Sequence, residues 1–171
     1  MKNIFCLIPL AALSVMAQDN PISTAIKNQY TAVKTNLIKA SEKMPEEAYA
    51  FKATPDVRSF GQLIGHIANA SYFYCSAAAG EKSPSSGNIE KDKTTKADLS
   101  QSLKDAFAYC DKVYDGMTDA KGVEKVKAGR NETARLGILA GNNSHNTEHY
   151  GNIVTYMRLN KLVPPSSEPR N

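Results

Sequence analysis

The chain has 171 residues, 42% of them apolar, and 21 Lys and Arg against 17 Asp and Glu give a net charge of +4. The basic residues are scattered, as in K-N-Q-Y-T-A-V-K and E-K-V-K-A-G-R, with no stripe of interleaved aromatics, which argues against nucleic-acid binding. Beyond the N-terminal stretch no segment is apolar enough to enter a membrane.

Residues 1–17 carry one basic residue (Lys2), an apolar run from Ile4 to Val15, and V-M-A before Gln18. That pattern predicts a secretory signal peptide cut after Ala17. The run of about 12 apolar residues falls short of the ~20 that span a bilayer, so a membrane anchor is rejected. The mature protein is expected to be exported, periplasmic or secreted, with no membrane contact once the signal is removed. Residues 18–171 suffice for one domain with a real core; 18–163 are expected to form it, and 164–171 a proline-rich tail.

Four stretches have helical periodicity, and almost none shows strand alternation. The first opens at D-N-P, where Asn20 can cap and Pro21 suits the first turn. Ile22, Ile26, Tyr30, Val33, Leu37 and Ala40 share one face, and M-P at 44–45 ends it. The second begins at S-F-G-Q, with Ser59 and Gln62 as a capping box, and stops at Gly80. Its stripe of Leu63, His66, Ala70 and Phe73 is expected to face the core. From Gly80 to Thr95 runs a polar loop. The third helix carries Leu99, Leu103, Ala106, Cys110, Val113 and Met117 on one face. T-D-A-K-G-V-E-K-V-K-A-G-R then reads as a short hairpin. The fourth helix is expected from near Asn131 to about Asn160, with Gly137 and Gly141 letting another helix approach closely.

The fold class expected is all-α, a single four-helix bundle. The loop between helices two and three, about 15 residues long, can reach ~50 Å, beyond the ~30 Å of a 20-residue helix. Those two helices can therefore run parallel, joined by a long crossover in a down-up-up-down order.

His145 and His149 are two of the three histidines in the chain. Four residues apart on a helix, they lie on one face and can hold a single ion. His66 on helix two reaches the same depth if helices two and four are antiparallel. Three imidazoles leave coordination positions open, as catalytic rather than closed structural sites do. Glu148 and Asn69 border this face; Glu148 is a candidate general base or an acceptor for an imidazole N–H, and an exposed helix carboxylate otherwise. Asn142 is a further polar neighbour.

The frame S-F-G-Q-L-I-G-H-I-A-N, then C-S-A-A-A-G-E, then H-N-T-E-H-Y-G-N-I-V-T-Y-M-R-L-N, ending V-P-P-S-S, resembles the DinB family across essentially the whole mature chain. That resemblance implies a four-helix bundle with parallel middle helices and a long crossover. It also implies a divalent metal, commonly zinc or nickel, on one histidine of helix two and an H-x-x-x-H pair of helix four, here His66, His145 and His149. The implied activity is metal-dependent hydrolysis or thiol-dependent transfer on an unknown small-molecule substrate, and the competing class is a non-catalytic, metal-stabilised binding module. A homodimer is compatible with the sequence. H-N-T-E-H also matches the H-x-x-E-H protease pattern, but such proteases are larger and take a downstream acidic ligand. Only Glu168, in the proline-rich tail, follows His149.

Cys75 and Cys110 are the only cysteines after residue 17, and in an exported protein an even pair predicts a disulfide. Each lies about 15 residues into its helix. Parallel helices put them at one height, whereas an antiparallel pair separates them by about 15 Å, beyond the ~4.4–6.8 Å of a bridge.

Overall fold

The computed structural model describes residues 19–169; the signal peptide expected at 1–17 lies outside the described residues. The chain is mostly helical: α1 (Pro21–Lys43), α2 (Phe60–Ala79), α3 (Ile89–Asp92), α4 (Lys96–Asp115), α5 (Asp119–Gly122), strands β1 (Lys125–Ala128) and β2 (Asn131–Ala134), and α6 (Arg135–Leu159). Short 3-10 turns cover Glu46–Ala50 and Pro165–Ser167.

Local chemistry sets these boundaries. Ser59 Oγ accepts from Gln62 N at 3.2 Å while Gln62 Oε1 accepts from Ser59 N at 2.8 Å, a complete capping box for α2. Gly80 ends that helix in the left-handed region at φ 75°. The start of α1 differs from expectation. Asp119 of α5, rather than Asn20, accepts from the amides of Ile22 (3.1 Å) and Ser23 (2.7 Å), and Asn20 Oδ1 accepts from Asp119 N in return. A carboxylate from across the fold outcompetes the local amide because its charge favours the positive helix end.

Two further expectations are corrected. The fold is not purely helical, because β1 and β2 pair antiparallel from Lys125↔Ala134 to Ala128↔Asn131. The fourth long helix consequently starts at Arg135 rather than near Asn131. Gly129 takes a positive φ of 63° in the two-residue turn, and residues 131–134 then use their backbone groups in the ladder. The helix begins where pairing stops.

Helix α2 is central, packing against both α4 and α6, while α1 packs on the other sides of those two. Tyr30, Leu37, Phe60, Ile64, Ile67, Leu103, Phe107, Leu139 and Met157 fill the core between them. Contacts advance together along α2 and α4: Gly61 faces Leu99, Tyr72 meets Tyr109, and a disulfide joins Cys75 to Cys110 at a Cα separation of 5.4 Å. Along α2 and α6 they run in opposite senses, from His66 with His145 to Ala78 with Arg135. The proline-rich tail stays on the fold, since Tyr150 Oη accepts from Ser166 N at 3.0 Å and Lys43 pairs with Glu168 at 2.6 Å.

Candidate metal centre

The opposed α2 and α6 bring the three histidines together. His145 and His149 stand one turn apart on α6, and His66 meets them from the first half of α2. The Nε2 atoms of His66 and His149 each lie 3.1 Å from Nε2 of His145. One ligand atom from each residue falls within 4.8 Å of the others. Imidazoles bound to zinc at about 2.0–2.1 Å in a tetrahedral shell have nitrogens about 3.3 Å apart. The two 3.1 Å spacings are close to that value, and all three ligand atoms lie within 4.8 Å of one another.

The protons tell the same story. A neutral imidazole carries one N–H and one lone pair. A single proton on His145 Nε2 can serve both 3.1 Å gaps only as a shared donor, and it then leaves His145 Nδ1 as a bare acceptor. That Nδ1 is buried and has no hydrogen-bond partner, and neither has the Oδ1 of neighbouring Asn146. With all three rings protonated on Nδ1 instead, three Nε2 lone pairs face one another, an arrangement that a cation at the centre would satisfy. The donor set fits a divalent metal.

Outward ring nitrogens meet polar groups elsewhere. His66 Nδ1 is 3.2 Å from Glu90 Oε2, and His149 Nδ1 is 3.4 Å from Asn152 Nδ2, a position the amide oxygen would take if the carboxamide were turned by 180°. Burial, then the charges of His145 and His66, pushes His149 down to about 4. Burial and His66 likewise lower His145, against the opposing charge of Glu148. Both shifts favour the neutral imidazole, the form that binds metals.

The structure places the other residues singled out in the sequence as follows. Glu148 is exposed and lies along a shallow groove between α1 and α6. Asn69 does not face the ion position; its Nδ2 donates to Asn88 Oδ1 at 2.9 Å and its Oδ1 accepts from Ile89 N at 3.1 Å. Asn142 is buried, donating to Tyr114 Oη at 3.2 Å and accepting from Asn146 at 3.3 Å. The stripe from His66 to Phe73 is not a core stripe: His66 keeps 25% of its side chain exposed and Phe73 is 54% exposed. The core line of α2 is Ile64, Ile67, Ala68, Ser71 and Cys75, because α4 takes that side and leaves His66 at the edge toward α6.

Four neighbours of the cluster were not anticipated: Arg58, Glu90, Asn146 and Asn152. Asn152 was legible, being three residues after His149 and seven after His145 on the same helical face. Glu90 was not, since α3 is too short for any periodicity. A cleft of about 660 Å³ opens beside the cluster, lined by Val57, Arg58, Glu90, His149, Asn152 and Tyr156 among others. The Tyr156 hydroxyl donates to the Arg58 carbonyl at 2.6 Å and ties the cleft wall to α6.

A sequence profile described as the DinB superfamily matches residues 29–153. No curated protein matches the sequence. Among solved structures, a DinB-like protein from Bacillus cereus ATCC 10987 superimposes with a TM-score of 0.71 at 14% identity, over 83% of this chain and 95% of that one. A DinB-like protein from Bacillus subtilis gives 0.69 at 18% identity, over 86% and 99%. A conserved protein from Enterococcus faecalis gives 0.65 at 15% identity, over 80% and 95%. At these identities the likeness bears on the fold alone.

Proposed function

The chain belongs to the DinB superfamily, and on that premise we propose that it is a metal-dependent enzyme with one divalent ion on His66, His145 and His149. The observation that carries this reading is the convergence of three imidazoles, with the Nε2 atoms of His66 and His149 each 3.1 Å from Nε2 of His145. Zinc is the ion proposed, because three neutral imidazoles and an open side suit it, with nickel as the alternative. The four long helices are read as a bundle in down-up-up-down order, supported by the contacts that advance together along α2 and α4.

When bound, such an ion supplies Lewis acidity to an oxygen or sulfur atom on its open side. The chain's own residues do the rest. Glu90 and Asn152 hold the outward ring nitrogens, and the cleft beside His149 admits a small molecule. Arg58, Asn152 and Tyr156 line that cleft and offer it a mixed polar and apolar wall.

Hydrolysis is favoured over thiol-dependent transfer. The leader pattern of residues 1–17 and the Cys75–Cys110 disulfide support export to an oxidising compartment, where a low-molecular-weight thiol is a poor co-substrate. A metal clip without catalysis is the second reading. It is favoured by Glu90, the carboxylate that touches the cluster, being engaged by both Arg58 and His66.

Elemental analysis of purified protein is expected to give about one divalent ion per chain, and His149→Ala to remove most of it. Equal metal content in both proteins ends the assignment. A panel of esters, amides and electrophiles, with and without thiols, then separates the classes. A wild-type rate no greater than that of metal-stripped protein leaves the binding module. An N-terminus at Gln18 in protein recovered outside the cytoplasm tests export.

A further inference from the structure

The segment between α2 and α4 is more than a connection, because one of its side chains reaches the histidine cluster. Three independent contacts bring it there. A Cβ built on Gly65, the residue before His66, would stand 2.7 Å from Glu90 Cα and 3.0 Å from Glu90 N. The segment therefore passes over α2 closely enough that only glycine fits. One turn further on, Asn69 accepts from Ile89 N and donates to Asn88, pinning the start of α3. From the other side Arg58 Nε donates to Glu90 Oε1 at 2.8 Å. With one oxygen fixed by Arg58, the other faces His66 Nδ1 at 3.2 Å.

An ionised carboxylate can only accept hydrogen bonds. A ring nitrogen opposite it must donate, and the proton of a neutral imidazole then sits on that nitrogen. Resting on the metal reading above, we propose that Glu90 is a positioning residue: held by Arg58 and by the close pass over Gly65, it keeps the His66 proton on Nδ1 and turns the Nε2 lone pair toward His145 and His149. The chain thus supplies from its crossover segment the carboxylate that sets ring orientation and donor strength at a metal-binding histidine. Removal of such an outer partner typically costs about 10–100-fold in metal affinity.

The test has one arm with no metal and one with zinc. In metal-free protein at pH 8, nitrogen-15 NMR of the histidine rings is expected to show His66 protonated on Nδ1. In Glu90→Ala that preference is lost, and in Gly65→Ala, where Glu90 is intact but pushed away, it is weakened. Zinc affinity, measured by competition with a chromophoric chelator, is expected to fall about 10–100-fold in Glu90→Ala and less in Gly65→Ala. If Glu90→Ala does not fold, Glu90→Leu keeps most of the volume, removes the acceptor and carries the same readout. A wild-type His66 protonated on Nε2, or a tautomer that ignores these substitutions, overturns the proposal. Wild-type protein that binds no zinc defeats the metal reading instead, and the metal-free spectra still decide the role of Glu90.

Discussion

Helix α2 has two seams, and they differ in how many polar side chains they bury. Toward α4 it meets a helix whose buried set is mainly apolar (Leu99, Leu103, Ala106, Phe107 and Cys110, with Ser100 and Tyr114), and the seam is closed covalently at Cys75. Toward α6 it meets a helix whose buried set includes Asn142, Asn143, Asn146 and His149. Apolar burial contributes about 25 cal/mol per Å² without regard to direction. Buried amides and imidazoles contribute little net but demand directed partners. One seam holds the fold, and the other holds three ring nitrogens in place. The comparison teaches that a helix can be anchored on one side so that its other side tolerates an arrangement of buried polar groups that packing alone would not favour.

Removing the anchor is expected to give the largest effect on stability. Replacing Cys75 and Cys110 with Ala opens a loop with a sequence separation of 35 and lowers unfolding free energy by about 4 kcal/mol. Denaturant titration under non-reducing conditions measures it. Zinc binding at low denaturant should survive, since the histidines sit on the other seam. Zinc affinity that falls in step with stability shows the two seams to be coupled.

The converse substitution is His149→Ala, which is expected to abolish metal binding while changing metal-free stability at pH 7.5 by no more than about 1–2 kcal/mol. Acid sharpens the distinction. Folded His149 is pushed down to about 4 from 6.5, so the unfolded chain takes up a proton that the folded protein resists. Stability from this group is complete above pH 6.5 and is lost as pH falls toward 4. Metal-free wild type should lose stability across that window and His149→Ala should lose less, as thermal melts in a pH series would reveal.

Tyr114 connects the apolar helix to the polar one and tests the boundary between them. Its hydroxyl donates to Asn143 Oδ1 at 2.8 Å, with the Leu139 carbonyl also in reach at 3.0 Å, and accepts from Asn142. Tyr114→Phe leaves buried amide groups short of partners at a cost of about 1–2 kcal/mol. A neutral outcome in equilibrium unfolding means the asparagines find other partners, and the polar seam is less specified than its geometry suggests.

How much of this was legible in the sequence follows the same division. The apolar periodicities of α1, α2 and α4, the Ser59 capping box, the Gly80 stop and the height match of Cys75 with Cys110 can all be read from spacing, because burial and helix pitch act locally. The three histidines were legible for the same reason, through a spacing of four on one helix and a depth match on the other. Glu90 and Asp119 were hidden. Each acts across the fold from a helix of four residues, too short to leave a periodic trace. The glycines were misread in the same way. A Cβ built on Gly141 would meet only the ring of Tyr74, at 3.4 Å, while Gly65 carries the close backbone pass. A glycine inside an apolar helix looks alike in both cases.

Glu148 is where spacing and structure diverge most, and it yields the smallest expected effect. By spacing it borders the histidine face; in the fold it is exposed and lies along the α1–α6 groove instead of the cleft beside His149. It acts on His145 and His149 only as a nearby charge that favours their protonated forms. Such an effect through solvent is screened within about 8 Å at physiological salt. Glu148→Gln is therefore expected to keep metal content, to leave hydrolytic rates within about twofold, and to shift stability by less than about 0.5 kcal/mol. Glu90→Gln, which replaces a carboxylate hydrogen-bonded to the cluster, is expected to do more on the first two counts. Parallel zinc titrations and rate measurements on the two variants make the comparison direct. A larger loss in Glu148→Gln than in Glu90→Gln would return the general-base role to Glu148 and move the working side of the centre from the cleft to the groove.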